Sequence, residues 1–145
     1  MSSEQREHAA SKRFEGAAVA SFQGPNRIVV APVLEEVELF RVVNVDRPLH
    51  PGLVLDLVSN YERQARPRRI ERYYAIVHMA ISTFTSFEAA RALARRFPGI
   101  GTHVARLRLP GGVGFCIDVP ARGAHRSLWG APVQIAACVV EVSRA

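Results

Sequence analysis

The chain has 145 residues, 48% of them apolar and 22% charged, which is enough for one domain with a buried core. Its mean hydropathy of +0.04 is that of an ordinary globular chain, and no apolar run approaches the length of a membrane span. The formal net charge of +6 permits an anionic partner, but eighteen Arg against the single Lys12 is also what a GC-rich coding bias produces.

The opening "MSSEQREHAASKRF" lacks the hydrophobic stretch of a secretory signal, so a cytoplasmic location is expected. Residues 1–25 are polar or small and read as a loosely ordered tail before a single domain, 26–145. "NRIVVAPV" is an apolar run between turn residues and predicts a strand near Arg27–Val33. "VELFRVVNV" predicts a second strand, Val37–Val45, with Val37, Leu39, Arg41, Val43 and Val45 on one face. "LVLDLVSNYERQ" changes period: Val54, Leu57, Val58 and Tyr61 fall on one side of a helix. After the interruption "ARPRR", Ile70, Tyr73, Tyr74 and Val77 repeat that pattern.

"MAISTF" reads as extended. In "TSFEAARALARRFPG", Thr85 and Glu88 have capping-box spacing, Phe87, Ala90, Ala94 and Phe97 form an apolar face, and "FPG" ends the helix. Three strands follow, "THVARLRLP", "VGFCIDVP" and "VQIAACVVEV". "LPGGVG" reads as a hairpin between the first two, and "ARGAHRSLWGAP" as a loop between the last two. The order gives an α+β domain with a mixed, mostly antiparallel sheet and two to three helices. Cys116 and Cys138 read as two small core residues.

Arg41 is the first candidate site residue, because a guanidinium on an apolar face needs partners. Either it pairs internally, with Glu38, Glu141 or Asp118, or the face is exposed at its middle, or it waits in a cleft for an anion. "ISTFTS" supplies Ser82, Thr83, Thr85 and Ser86 where a strand enters a helix, a place that suits capping and also a polar ligand edge. Arg66, Arg68 and Arg69, in a run with Arg63 and Arg72, form either a solvated connector or a clamp for phosphates. The glycine-flanked "AHRSLWG" combines His125, Arg126 and Trp129 as a candidate partner-binding loop. No nucleotide-loop, nucleophile-elbow or Cys-x-x-Cys motif is present, and the histidines lack metal-ligand spacing, so no metal is expected.

"LFRVV", followed about forty residues on by "STFTSFEAARALARRF" and then "HVARLRLP", resembles the ADP-ribosyltransferase fold over roughly residues 37–119. "LFRVV" and "FTSFEAA" are also similar to segments of RES-domain proteins, an NAD-consuming branch. The resemblance implies NAD as substrate, gripped at its diphosphate or ribose by Arg41. Ser82, Thr83 or Ser86 would hold the ribose or nicotinamide edge. The family's catalytic glutamate has one counterpart here, Glu141, which strand alternation from Val133 places on the face of Ile135, Ala137 and Val139. Two functions are therefore expected candidates: an ADP-ribosyltransferase-like enzyme acting on NAD, and a non-catalytic protein-binding module on the same scaffold. A nucleic-acid partner ranks third, because the basic residues are not gathered on one predicted face.

Overall fold

The apolar strands of this chain have both faces covered, and Val37–Val43 shows why. Leu39 and Val43 are fully buried on one side while Phe40 and Val42 are buried on the other. The computed structural model describes residues 18–20, 28–66, 75–118 and 123–145. It contains strands β1 (Ala18–Ala20), β2 (Ile28–Pro32), β3 (Val37–Val43), β4 (Ile81–Phe84), β5 (His103–Leu109), β6 (Cys116–Asp118), β7 (His125–Trp129) and β8 (Val139–Arg144). The helices are α1 (Ala75–His78), α2 (Phe87–Arg96) and α3 (Pro132–Ala136), with 3-10 turns at Leu53–Leu57 and Pro98–Ile100.

The eight strands form one sheet in the order β1-β2-β6-β7-β4-β3-β5-β8. Every described pair is antiparallel, so the expected mixed sheet is corrected to an antiparallel one within an α+β domain. On one face Leu39, Val43, Leu107, Leu109, Ile117 and Leu128 pack with Leu53, Leu57 and Ile135. On the other, Phe40, Val42 and Val104 pack under Ala90 and Ala94 of α2. The sheet is thus sandwiched between the Leu53–Leu57 turn with α3 and the longer helix α2.

Several expected elements differ, each for a local reason. The helix over "LVLDLVSNYERQ" is only one 3-10 turn, Leu53–Leu57, because Val58 is extended and the Ser59 hydroxyl takes the Glu62 N–H at 3.2 Å. Tyr61, assigned to the buried face, is 58% exposed. The "ARPRR" interruption lies largely, and the following tyrosines wholly, outside the described residues; α1 spans Ala75–His78, with Val77 buried. The N-cap of α2 is Ser86, whose Oγ accepts the Ala89 N–H at 3.2 Å, so the box expected from Thr85 and Glu88 is replaced by a single cap bond one residue later, where Ala89 has no polar side chain to complete a box.

"LPGGVG" is not a hairpin, since β5 pairs with β3 and β8 while β6 pairs with β2 and β7. The segment crosses the sheet instead. Gly112 donates its N–H to Val33 O at 2.8 Å, and a Cβ on Gly111 would lie 2.1 Å from Leu34 O, which is why a residue without one sits there. "AHRSLWG" is strand β7, paired on both sides, rather than a loop. "PVQIA" is helix α3 rather than strand, with Pro132 in its first turn, where a missing N–H costs nothing. Of the expected N-terminal tail, residues 18–20 pair with β2, and the remainder lies outside the described residues.

Candidate functional site

Strands β3 and β5 pair over seven positions, but β3 and β4 meet at one bridge only, Phe40 opposite Phe84. Beyond it the two strands part, and the Arg41 guanidinium bridges the gap. Its Nη1 donates to Ser82 O at 2.8 Å, while Nε and Nη2 donate to Asp56 O at 3.1 and 2.9 Å. This resolves the puzzle of a charge on an apolar face. The fork spreads its charge over carbonyl dipoles of two separate segments and ties the Leu53–Leu57 turn to β4.

The parting of β3 and β4 opens into a cleft of about 770 Å³. That is within the ordinary range for small-molecule sites. Val42 and Asn44 line it from β3 and the residue just past its end, and Ser82 and Phe84 from β4. Asp56 comes from the 3-10 turn itself, Ser59, Asn60 and Arg63 from the segment after it, and Leu93, Arg96 and the cap residue Phe97 from the end of α2. The Asp56 carboxylate is fixed by the Asn44 backbone N–H at 3.0 Å and the Asn44 side-chain N–H at 3.1 Å. Arg63 is held by a 2.7 Å bond from Nη2 to Leu55 O, and Arg96 lies 5.2 Å over the Phe97 ring. Ser82 Oγ is 3.1 Å from His125 Nε2, and that imidazole stands edge-on to Phe84 with centroids 5.5 Å apart. Besides Arg41, the cleft therefore offers two cations, one anchored carboxylate, hydroxyl and amide groups, and aromatic walls.

Of the residues singled out from the sequence, Arg41, Ser82 and, from the basic run, Arg63 line this cleft. Thr83 points to the opposite face, fully buried, its Oγ1 donating to Arg126 O at 2.8 Å. Ser86 is occupied as the cap of α2. Glu141 does not join Arg41, which corrects the expected convergence of Arg41, Ser82 and Glu141. It forms an exposed ion pair with Arg106 at 3.1 Å, and Arg106 also reaches Glu38 at 3.6 Å. Alternation misplaced Glu141 for two reasons: residues 132–136 are helical, and the β5–β8 register shifts between Arg106 and Leu107.

Arg66 is exposed, and Arg68 and Arg69 lie outside the described residues. His125, Arg126 and Trp129 sit in β7 between β4 and β6, so their backbone is committed to the ladder. His125 is exposed, Trp129 is half-buried opposite Cys116, and Arg126 Nη1 donates to Gly123 O and His125 O at 2.8 and 2.9 Å.

Asp118 accepts the Ser127 N–H at 2.7 Å. Burial nevertheless raises its carboxyl above the ordinary value, outweighing that bond and the nearby Arg126 charge. The half-buried thiols of Cys116 and Cys138 are both free, and burial pushes that of Cys138 up. Among the described residues no cluster of His, Cys, Asp and Glu could hold a metal ion, and no helix is long and apolar enough to cross a membrane.

Asn44, Asp56, Asn60 and Arg96 are cleft residues that the sequence did not single out. No local spacing links Asn44 to Asp56; they meet because the chain turns back under β3. A scan of protein-family models, a search of curated proteins and a search of solved structures each found no match for this chain.

Proposed function

We propose that the chain is an NAD-binding protein of the ADP-ribosyltransferase-like type, with the dinucleotide seated in the cleft between β3 and β4. The observation that carries this is the meeting of Arg41 and Ser82, forty-one residues apart, at a strand junction that opens between Arg63 and Arg96. Arg41 has a different role from the one the resemblance implies. Three of its five N–H donors are engaged by carbonyls, so it builds the wall, and Arg63 and Arg96 are the cations for the diphosphate. Phe84 and Phe97 offer flat apolar surface for a base, and Ser82 and Asn60 offer polar groups for sugar.

Cleavage of the glycosidic bond to nicotinamide builds positive charge on the ribose, and a preplaced anion lowers that barrier. The carboxylate lining the cleft is Asp56, not Glu141. Transfer or hydrolysis of ADP-ribose would accordingly draw on Asp56, already oriented by Asn44.

Calorimetric titration of NAD into the wild type and Arg96→Ala, followed by an assay for released nicotinamide, tests this. Binding that weakens at least several-fold in the variant supports the cleft, and nicotinamide release lost in Asp56→Asn supports the chemistry. Absence of heat with both NAD and ADP-ribose would refute the reading. Binding without release would favour the second reading, a non-catalytic module whose partner recognises the ligand-bound surface. The engagement of Glu141 by Arg106, away from the cleft, supports that alternative.

A further inference from the structure

Ser82 is pinned from several directions. Its carbonyl accepts from Arg41 Nη1 at 2.8 Å, and its backbone is paired in register with Ser127 on β7. The side-chain torsion and the hydroxyl rotor are what the backbone leaves undetermined. A seryl hydroxyl has one donor and two acceptor sites, and unaided it samples three staggered wells. The His125 ring is where that freedom ends. It stands on β7 directly opposite Phe84, edge-on to that ring, with Nε2 at 3.1 Å from Ser82 Oγ. Ser82 and Phe84 line the cleft, so the imidazole braces two of its wall residues at once.

We propose that His125 is a positioning residue for the ligand site: by fixing the Ser82 hydroxyl it makes Ser82 a reader of sugar hydroxyls. This rests on the cleft being the dinucleotide site proposed above. If Nε2 accepts, the Ser82 proton is committed to the ring and oxygen lone pairs face the cleft. If Nε2–H donates, the Ser82 proton is released towards the cleft. A ribose hydroxyl, both donor and acceptor, fits either arrangement, whereas a phosphate oxygen only accepts and an amide N–H only donates. The anionic end of the ligand then belongs to Arg63 and Arg96, and the sugar end to Ser82.

The test is a double-mutant cycle read by calorimetry with ADP-ribose and inorganic diphosphate as probes. His125→Phe keeps a ring against Phe84 and removes the nitrogen, His125→Gln keeps a donor and acceptor, and Ser82→Ala removes the hydroxyl. Loss of one neutral hydrogen bond should weaken ADP-ribose binding about fivefold in His125→Phe. His125→Gln should recover most of it, and the effect should vanish in the Ser82→Ala background. Diphosphate affinity should be unchanged by His125→Phe. Equal losses for both probes, wild-type affinity in His125→Phe, or additive losses in the double variant would overturn the proposal. If ADP-ribose fails to bind the wild type, the dinucleotide reading itself fails. The pair is then judged alone by the ¹⁵N resonances of the His125 ring in ligand-free protein. These should move in Ser82→Ala, and unmoved resonances would overturn the positioning role.

Discussion

Replacing Arg41 by alanine leaves the carbonyls of Asp56 and Ser82 without the three N–H donors that now reach them at 2.8 to 3.1 Å. Hydrogen bonds to a charged group are each worth about 1.5–3 kcal/mol, and water entering from the adjacent cleft would return part of the loss. The expected destabilisation is about 2–4 kcal/mol, which for a chain of this size lowers the melting temperature by on the order of 5–15 °C. Arg41→Lys sharpens the case, because an ammonium has no planar fork and cannot hold both carbonyls in the same geometry. It should recover roughly half of the loss. Urea unfolding followed by circular dichroism measures both variants, with an unchanged denaturant slope showing that the same surface is exposed. A destabilisation below about 0.5 kcal/mol for Arg41→Ala, or full stability in Arg41→Lys, would refute the bridging role, since neither is compatible with two orphaned carbonyls.

Ser86→Ala should destabilise by about 1 kcal/mol through loss of the α2 cap, and Thr85→Ala by much less; the reverse order in thermal melts would restore the capping-box assignment. Glu141→Gln should change stability by about 1 kcal/mol or less and leave ligand titrations unaltered, because its pair with Arg106 is exposed and away from the cleft. For Asp118, burial raises the folded-state carboxyl above 3.8, so the native state holds the proton more tightly than the unfolded chain. The stability this contributes is fully present below that ordinary value and is lost as pH rises through the raised one. Asp118→Asn is neutral and can still accept from Ser127. Its stability should be flatter than wild type across that window in pH-dependent urea titrations.

The strand periodicity of "VELFRVV", the extended "ISTF" and the alanine-rich helix after it were legible because each is written in local spacing: period 2 in a strand, 3.6 in a helix. The need of Arg41 for partners was legible too, since guanidinium charge is a property of the residue alone. Its actual partners were not, because backbone carbonyls carry no sequence label and Asp56 and Ser82 approach Arg41 only through the fold. The same holds for His125 beside Ser82, forty-three residues apart, which meet through the β4–β7 register. Glu141 shows the converse: alternation is a sound rule only while pairing is regular, and one helical segment and one register shift were enough to put that carboxylate elsewhere. The sequence by itself determined the strand β3, the extended β4 and the alanine face of α2, because those follow from neighbours within a few positions, but not the α2 cap, the strand β7 or the helix α3. Only the tertiary structure decided that β3 and β4 part beyond a single bridge, and so where a ligand could enter, because that gap depends on which strands are adjacent across the sheet.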